Sequence, residues 1–278
     1  MTTIFGPSIL FCPGDRPDRF AKAAAAADIA VLDLEDAVAA DAKASARDAV
    51  CAYLRDVSTD VLIRINDPAT ETGQADAAAI LAAGARAVVI GKTETVAQID
   101  AVAGTGATPP AIIVTIESAR GLLALPELLS HEAVAGVSWG PYDLAADMGM
   151  RAVRDDAGAL LPILLQARNT MLIHAAAARV PAYDTVTAEL SDGGTMLERD
   201  TREAATLGCV GKFMIHPSQT ATVRAAFMPS DADVDRSRRL LAAVGDRGAF
   251  LFEGDMVDEP MMRRARTILA MADRYRAD

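Results

Sequence analysis

Residues 111–140 read AIIVTIESARGLLALPELLSHEAVAGVSWG, with two short apolar runs, 111–117 and 134–140, on either side of a stretch of helical composition. The runs are too short for helices, rich in apolar side chains throughout, and closed by a charge or a glycine, which is how a strand buried on both faces reads. Strand, helix, strand in that order requires a parallel pair, because antiparallel neighbours need only a tight turn. Parallel sheets are covered on both faces, which explains the lack of apolar–polar alternation.

Working outward, the same unit recurs along the chain. Runs at 8–13, 30–36, 61–66, 87–92, 180–186 and 210–217 bring the strands to eight, separated by helical stretches such as FAKAAAAA, AKASARDAVCAYL, ADAAAILAAG and LLPILLQARNTMLIHAAAA. Eight units in about 220 residues fit a (β/α)₈ barrel better than an open doubly wound sheet, and no glycine-rich dinucleotide fingerprint follows the first run. The long spacing between the sixth and seventh runs predicts a loop over 142–158 as well as a helix. Loops that follow strands form the working face of such a barrel.

After Phe227-Met228-Pro229-Ser230 the pattern changes to two helical segments joined by a glycine-containing link. This predicts a catalytic barrel over 1–228 and a helical extension over 229–278. An extension of about 50 residues is too small for a core of its own and needs its barrel or a neighbouring subunit to pack against.

The 278 residues carry 27 Lys plus Arg against 38 Asp plus Glu, a net charge of −11, which argues against nucleic acid or an anionic membrane as partner. Hydrophobic residues make up 51% and aromatics only 4%, so the core is built from Ala, Val, Leu and Ile. No apolar stretch approaches the ~18 residues of a membrane span, and the opening MTTIFGPSILFCPGDRP has no basic leader. Cys12, Cys51 and Cys209 show neither CxxC spacing nor an even count, so a reducing cytoplasm is the expected compartment.

The informative residues interrupt apolar runs at their C-terminal ends. Glu117 closes the fifth run and Asp143 follows the sixth, so on adjacent barrel strands both carboxylates face one mouth. Two carboxylates that close need a cation or a raised pKa. Only His131, His174 and His216 are available as imidazoles and none has HxxxH spacing, so the donors are oxygens, which favours Mg²⁺. The competing reading makes Glu117 and Asp143 ordinary acidic residues at helix N-termini.

Arg64 lies inside the apolar VLIRIN and needs an anion. Asp33, Glu35 or Asp36 of the preceding LDLED supplies one internally, and the same guanidinium, held by such a partner, suits a substrate carboxylate. Lys92 and Lys212 sit near ends of the fourth and eighth strands, where the alternatives are a Schiff-base nucleophile or an exposed or phosphate-contacting cation. Arg16, in CPGDRP, either meets phosphate or pairs with Asp15 or Asp18. Trp139 lines a pocket or belongs to the core. Asp255 and Asp258, in FEGDMVDEP, are solvated acids unless the extension folds over a site.

Taken together, CPGDRPDRFAKA, VLDLEDAV, RIN, IESARG, WGPYDLAADMG, GKFMIHPSQ and FEGDMVDEP resemble, in order and spacing, the citrate lyase beta-subunit-like proteins of the HpcH/HpaI aldolase and citrate lyase family, over nearly the whole chain. The resemblance implies a Mg²⁺-dependent barrel, a homotrimer, that cleaves or forms β-hydroxyacyl thioesters such as citramalyl-, malyl- or citryl-coenzyme A, yielding an oxo acid and an acyl thioester. It implies Glu117 and Asp143 as metal ligands and Arg64 as the grip on the acid. Gly140 and Pro141 would touch the substrate through their backbone, and Asp258 would be an acid–base group on a lid that reaches a neighbouring protomer's site. Arg16 and Lys212 would lie near the coenzyme A arm. Gly91, Ser118 and Asp255 stand where Pro, Thr and a basic or amide residue are commoner. Three alternatives stand beside this one: a thioesterase on the same fold, a Schiff-base aldolase, and a citrate lyase subunit acting on an acyl carrier protein.

Overall fold

The computed structural model describes residues 6–56, 60–105, 108–245 and 247–275. They form two compact units, Met1–Val223 and Arg224–Asp278. The division falls inside a helix, Thr220–Phe227, rather than after it at 228.

In the first unit, strands β1 (Ser8–Pro13), β2 (Ile29–Asp33), β3 (Val61–Ile65), β4 (Ala87–Ile90), β5 (Ala111–Ile116), β6 (Val134–Trp139), β7 (Tyr183–Asp184) and β8 (Gly211–Met214) pair in parallel in the order β6-β5-β4-β3-β2-β1-β8-β7. A parallel bridge from Val137 to Ala182 joins the two ends, so the ladder closes into a (β/α)₈ barrel. All eight expected runs are strands, though β7 is reduced to two residues. Helices α1 (Pro17–Ala26), α2 (Lys43–Asp56), α3 (Glu71–Ala82), α4 (Val96–Ala103), α5 (Ala119–Leu128), α6 (Pro141–Asp147), α7 (Pro162–Ala178), α8 (Thr195–Leu207) and α9 (Thr220–Phe227) follow the strands. The start of the expected 142–158 loop is the short helix α6, because Pro141 at its first position has the helical φ already set.

Alternation along the strands places the site. Ile9, Val31, Leu62, Val89, Ile113, Tyr183 and Phe213 fill the barrel interior as one apolar cluster. Two residues further on, the same face carries Asp33, Arg64 and Thr115, so the interior is oily at depth and polar at the C-terminal mouth. Gly136 belongs to this packing: a Cβ there would lie 2.7 Å from the Tyr183 ring, so glycine makes room for the largest fully buried side chain.

The second unit holds α10 (Asp231–Ala243), the antiparallel hairpin β9 (Phe250–Phe252) and β10 (Asp255–Val257), and α11 (Glu259–Tyr275). The hairpin replaces the expected link between two helices. Its turn is Glu253-Gly254, both at positive φ, the conformation that matches strand twist. Leu240, Phe250, Val257, Met262 and Ala265 form a small apolar cluster within this unit, so the extension has more of a core than its length led us to expect. Among the described residues no helix is long and apolar enough to cross a membrane.

Gly136→Ala is expected to cost about 1–3 kcal/mol by overpacking. Urea unfolding checks this, and combination with Tyr183→Leu should be less than additive, since the two changes act on one volume.

Candidate active site

The barrel mouth holds a cavity of about 360 Å³ lined by side chains from β1, β2, β3, β5, β6, β8, α6 and the segment after β7. Phe11, Trp139, Val186 and Phe213 supply apolar wall, and Asp33, Arg64, Thr115, Glu117, Ser138 and Asp143 the polar part.

Arg64 and Asp33 face each other across the β2–β3 register and form a two-point pair, Nε donating to Oδ1 at 2.8 Å and Nη2 to Oδ2 at 2.6 Å. Asp33 is buried and Arg64 partly so, and the guanidinium lies 4.6 Å over the Phe11 ring. Burial works against its charge, but Asp33, Glu35 and Asp36 outweigh that and hold Arg64 above the ordinary arginine value. Asp33 takes one edge of the fork. The remaining Nη1 points toward Glu35 Oε2 at 3.2 Å and Asp36 Oδ2 at 3.8 Å.

Glu117, one residue beyond β5, is 7% exposed. Its Oε2 accepts the Lys92 backbone N–H at 2.8 Å. Gly140 explains how the carboxyl fits: a Cβ at 140 would lie 2.6 Å from Glu117 Oε1. Burial first, then the charges of Glu35 and Asp143, push the Glu117 carboxyl up to about 7, and Lys92 offsets only part of this. Asp143 sits in the first turn of α6, 45% exposed at its side chain, in the same cavity. It is thus both a helix N-terminal acid and a mouth-facing carboxylate. Among the described residues no three His, Cys, Asp or Glu side chains come together to hold a metal, so a cation at this mouth would draw on water or substrate oxygens as well as protein carboxylates.

Lys92 is not a free amine. Its Nζ donates to Glu35 Oε1 at 2.6 Å and to Asp36 at 3.0 Å, and stands 3.9 Å from Asp143. Burial opposes the ammonium, but Glu35 and Asp36 prevail and hold it above the ordinary lysine value, the reverse of what a Schiff-base nucleophile needs.

Lys212 corrects the sequence expectation. Phe213 faces into the barrel, so its neighbour faces outward, toward the helical layer. There Lys212 is 1% exposed and donates to Asp184 Oδ2 at 2.6 Å and to the Thr185 carbonyl at 2.5 Å, while Asp184 Oδ1 accepts from Trp139 Nε1 at 3.1 Å. Its ammonium is buried in this pair rather than exposed, which leaves it out of reach of a coenzyme arm. Trp139 is both core and cavity wall.

Arg16 pairs with Asp18 through two hydrogen bonds of 3.0 and 2.9 Å and is partly exposed. It borders a second hollow of about 610 Å³, with Arg19, Lys22 and His216, that shares Phe11 and Ile215 with the first. Pro141 is the first residue of α6 and buried. Asp258 lies in the second unit, exposed and immediately before α11. Asp255 pairs with Arg236 at 2.8 Å, so the charge that departs from the family pattern is balanced. Ser118 caps α5 by accepting from Gly121 and donates to Glu94. The sequence reading missed the backbone role of Lys92 and the lining by Phe11, Thr115 and Ser138. Inward alternation past the apolar cluster was the signal for these lining residues.

Residues 7–217 match the family described as HpcH/HpaI aldolase/citrate lyase. A citrate lyase subunit beta-like protein of Mycobacterium tuberculosis is 40% identical over 96% of each chain. A (3S)-malyl-CoA thioesterase of Cereibacter sphaeroides is 32% identical over 96% of this chain and 94% of its own. The crystal structure of CitE from Mycobacterium tuberculosis in complex with magnesium, acetoacetate and coenzyme A superposes with a TM-score of 0.86 at 40% identity, covering 97% of this chain and 98% of that one.

A carboxyl raised from 4.5 to about 7 on folding contributes stability in full below pH 4.5 and loses it as pH rises through 7. The loss is on the order of 3 kcal/mol. In EDTA, Glu117→Gln is therefore expected to gain stability relative to the parent chain between pH 5 and pH 8, read from paired urea unfolding curves.

Proposed function

The chain belongs to the HpcH/HpaI aldolase/citrate lyase family, and from that premise we propose that it is a Mg²⁺-dependent carbon–carbon lyase acting on a β-hydroxyacyl-coenzyme A thioester. In cleavage the products are an oxo acid and an acyl thioester. The reverse is a Claisen-type condensation. The observation that carries this reading is one cavity holding both a buried guanidinium with one edge left over by Asp33 and a pair of acidic side chains, Glu117 and Asp143.

The donor set fits Mg²⁺. Both carboxylates offer hard oxygen, and Glu117 is raised toward its neutral form by burial first and then by neighbouring acids, a cost that a bound cation offsets. Glu117 would bind through Oε1, since Oε2 holds the Lys92 N–H, and Asp143 through its exposed carboxylate. Bound there, Mg²⁺ supplies Lewis-acid stabilisation of the negative charge that develops on the acid's oxygens.

The chain's own residues do the rest. Arg64 presents Nη1 to the substrate carboxylate and fixes its orientation, with Asp33 locking the guanidinium plane. Phe11, Trp139 and Phe213 exclude water from the reacting carbons. Asp258 of a neighbouring protomer in a homotrimer takes the hydroxyl proton during cleavage, as the C–C bond breaks to the oxo acid and a thioester enolate whose carbon then takes up a proton to give the acyl thioester, and these transfers reverse in condensation. Arg16, with Arg19 and Lys22 beside it, meets the phosphates of the coenzyme arm. Cys12, Cys51 and Cys209 are buried and unpaired, in keeping with action in the cytoplasm. A second reading, hydrolysis of the same thioester, is favoured by the similarity to the malyl-CoA thioesterase.

Incubation with citramalyl-, malyl- and citryl-coenzyme A, with Mg²⁺ or EDTA, separates the two. Oxo acid formed only with Mg²⁺ and without free thiol is the expected result, whereas free thiol without oxo acid would make the chain a thioesterase. Glu117→Ala and Asp143→Ala are each expected to weaken Mg²⁺ binding about 10-fold or more in titration calorimetry. Mg²⁺ affinity of the unaltered chain should fall as pH drops below about 7, where protons compete for Glu117.

A further inference from the structure

Among the described residues three that are not glycine have positive φ: Lys92 at 49°, Arg179 at 59° and Glu253 at 50°. Arg179 caps α7 and Glu253 turns a hairpin, where that conformation is routine. Lys92 has neither excuse. It stands at the barrel mouth, and strained backbone held by its surroundings at such a place points to a task.

The conformation sets two contacts at once. The backbone N–H of Lys92 points at Glu117 Oε2, at 2.8 Å, while its side chain crosses to Glu35 Oε1 at 2.6 Å. The preceding Gly91 is part of the same arrangement, because a Cβ there would lie 2.8 Å from Glu35 Oε2. That second oxygen of Glu35 is buried, makes no hydrogen bond, and faces Arg64 Nη1 at 3.2 Å without the alignment of one. Glu35 is thus shared between two cations, and Lys92 has the better geometry.

A buried carboxylate that loses one cation turns to the other. If Lys92 were absent, Glu35 would close on Nη1, the edge of the fork that Asp33 leaves over. We infer that Lys92 is a positioning residue: its ammonium competes with Arg64 for Glu35, so that the Glu35 contact with Nη1 stays poorly aligned at 3.2 Å and the carboxylate of the oxo acid can displace it, while its left-handed backbone holds Glu117 in place. This rests on the lyase reading above and assigns Lys92 and Glu35 roles within it.

The test uses Lys92→Gly, which removes the ammonium while keeping the N–H and easing the left-handed backbone, and the double variant Lys92→Gly/Glu35→Gln. Titration calorimetry reads Mg²⁺ alone, then pyruvate with Mg²⁺ present. Lys92→Gly is expected to bind Mg²⁺ within about threefold of the parent but pyruvate about tenfold more weakly, the scale of one charge-assisted contact. The double variant should recover pyruvate binding to within about threefold, because neutral Gln has no charge to carry to Arg64. A merely structural lysine would not be rescued by its partner's neutralisation. Unchanged pyruvate binding in Lys92→Gly, or a double variant no better than the single, overturns the inference alone. A parent chain that binds neither Mg²⁺ nor pyruvate overturns the lyase reading and this inference with it.

Discussion

The arrangement depends on how a charged cluster is held at the end of an apolar barrel. Asp33 is fully withdrawn from water and Arg64 largely so, and an ion pair there survives only with near-ideal geometry and further partners for its remaining hydrogens. The two-point pair, the Phe11 ring under the guanidinium and the backbone N–H groups of Glu35 and Ala37 on the Asp33 carboxylate meet that condition. The same constraint explains why Lys92 is bound to Glu35 and Asp36 rather than left in solvent. Among the described residues each buried acid pairs with a cation except Glu117, whose carboxyl is pushed up to about 7 by burial and by Glu35 and Asp143.

That imbalance gives the site its chemistry. Asp33, Glu35, Asp36, Glu117 and Asp143 face two resident cations, Arg64 and Lys92, so the mouth carries an excess of negative charge that a divalent ion would relieve. Glycine is placed where these groups need close approach. Gly140 admits the Glu117 carboxyl and Gly91 the Glu35 carboxyl, each at a distance any Cβ would violate. Deeper in, Gly136 does the same for an apolar neighbour, so tight packing runs through both halves of the interior.

The fold was legible because its signal is redundant. Eight apolar runs, each followed by helical composition, tolerate an error in any one, and even β7, with two paired residues, falls within the run at 180–186. The hairpin at 250–257 was hidden because FLFEGDMV has too few alternating positions to stand out beside two strong helices. The site was legible where a residue broke a local rule. Arg64 inside VLIRIN and Glu117 at the close of AIIVTIE violate burial preference, and both line the cavity. Lys212 breaks the same rule in GKFMIH, but composition cannot say on which face of the strand a charge lies. Its neighbour Phe213 turns inward, and Lys212 ends in a buried pair with Asp184 behind the barrel wall.

Lys92 shows what no reading of residue types reaches. Its role lies in a backbone angle and in a contact made by its N–H, which every residue except proline possesses. A lysine at a strand end invites interpretation through its amine, as nucleophile or phosphate ligand, yet here the amine is spent on carboxylates. The αL turn couples the two ends of the residue, so that the orientation of Glu117 and the freedom of Arg64 are fixed by one strained position. If the site works by holding an oxo acid between Arg64 and a cation on Glu117, then the spacing of its two grips is set at Lys92, which touches Glu117 through its N–H and reaches Arg64 only by way of Glu35.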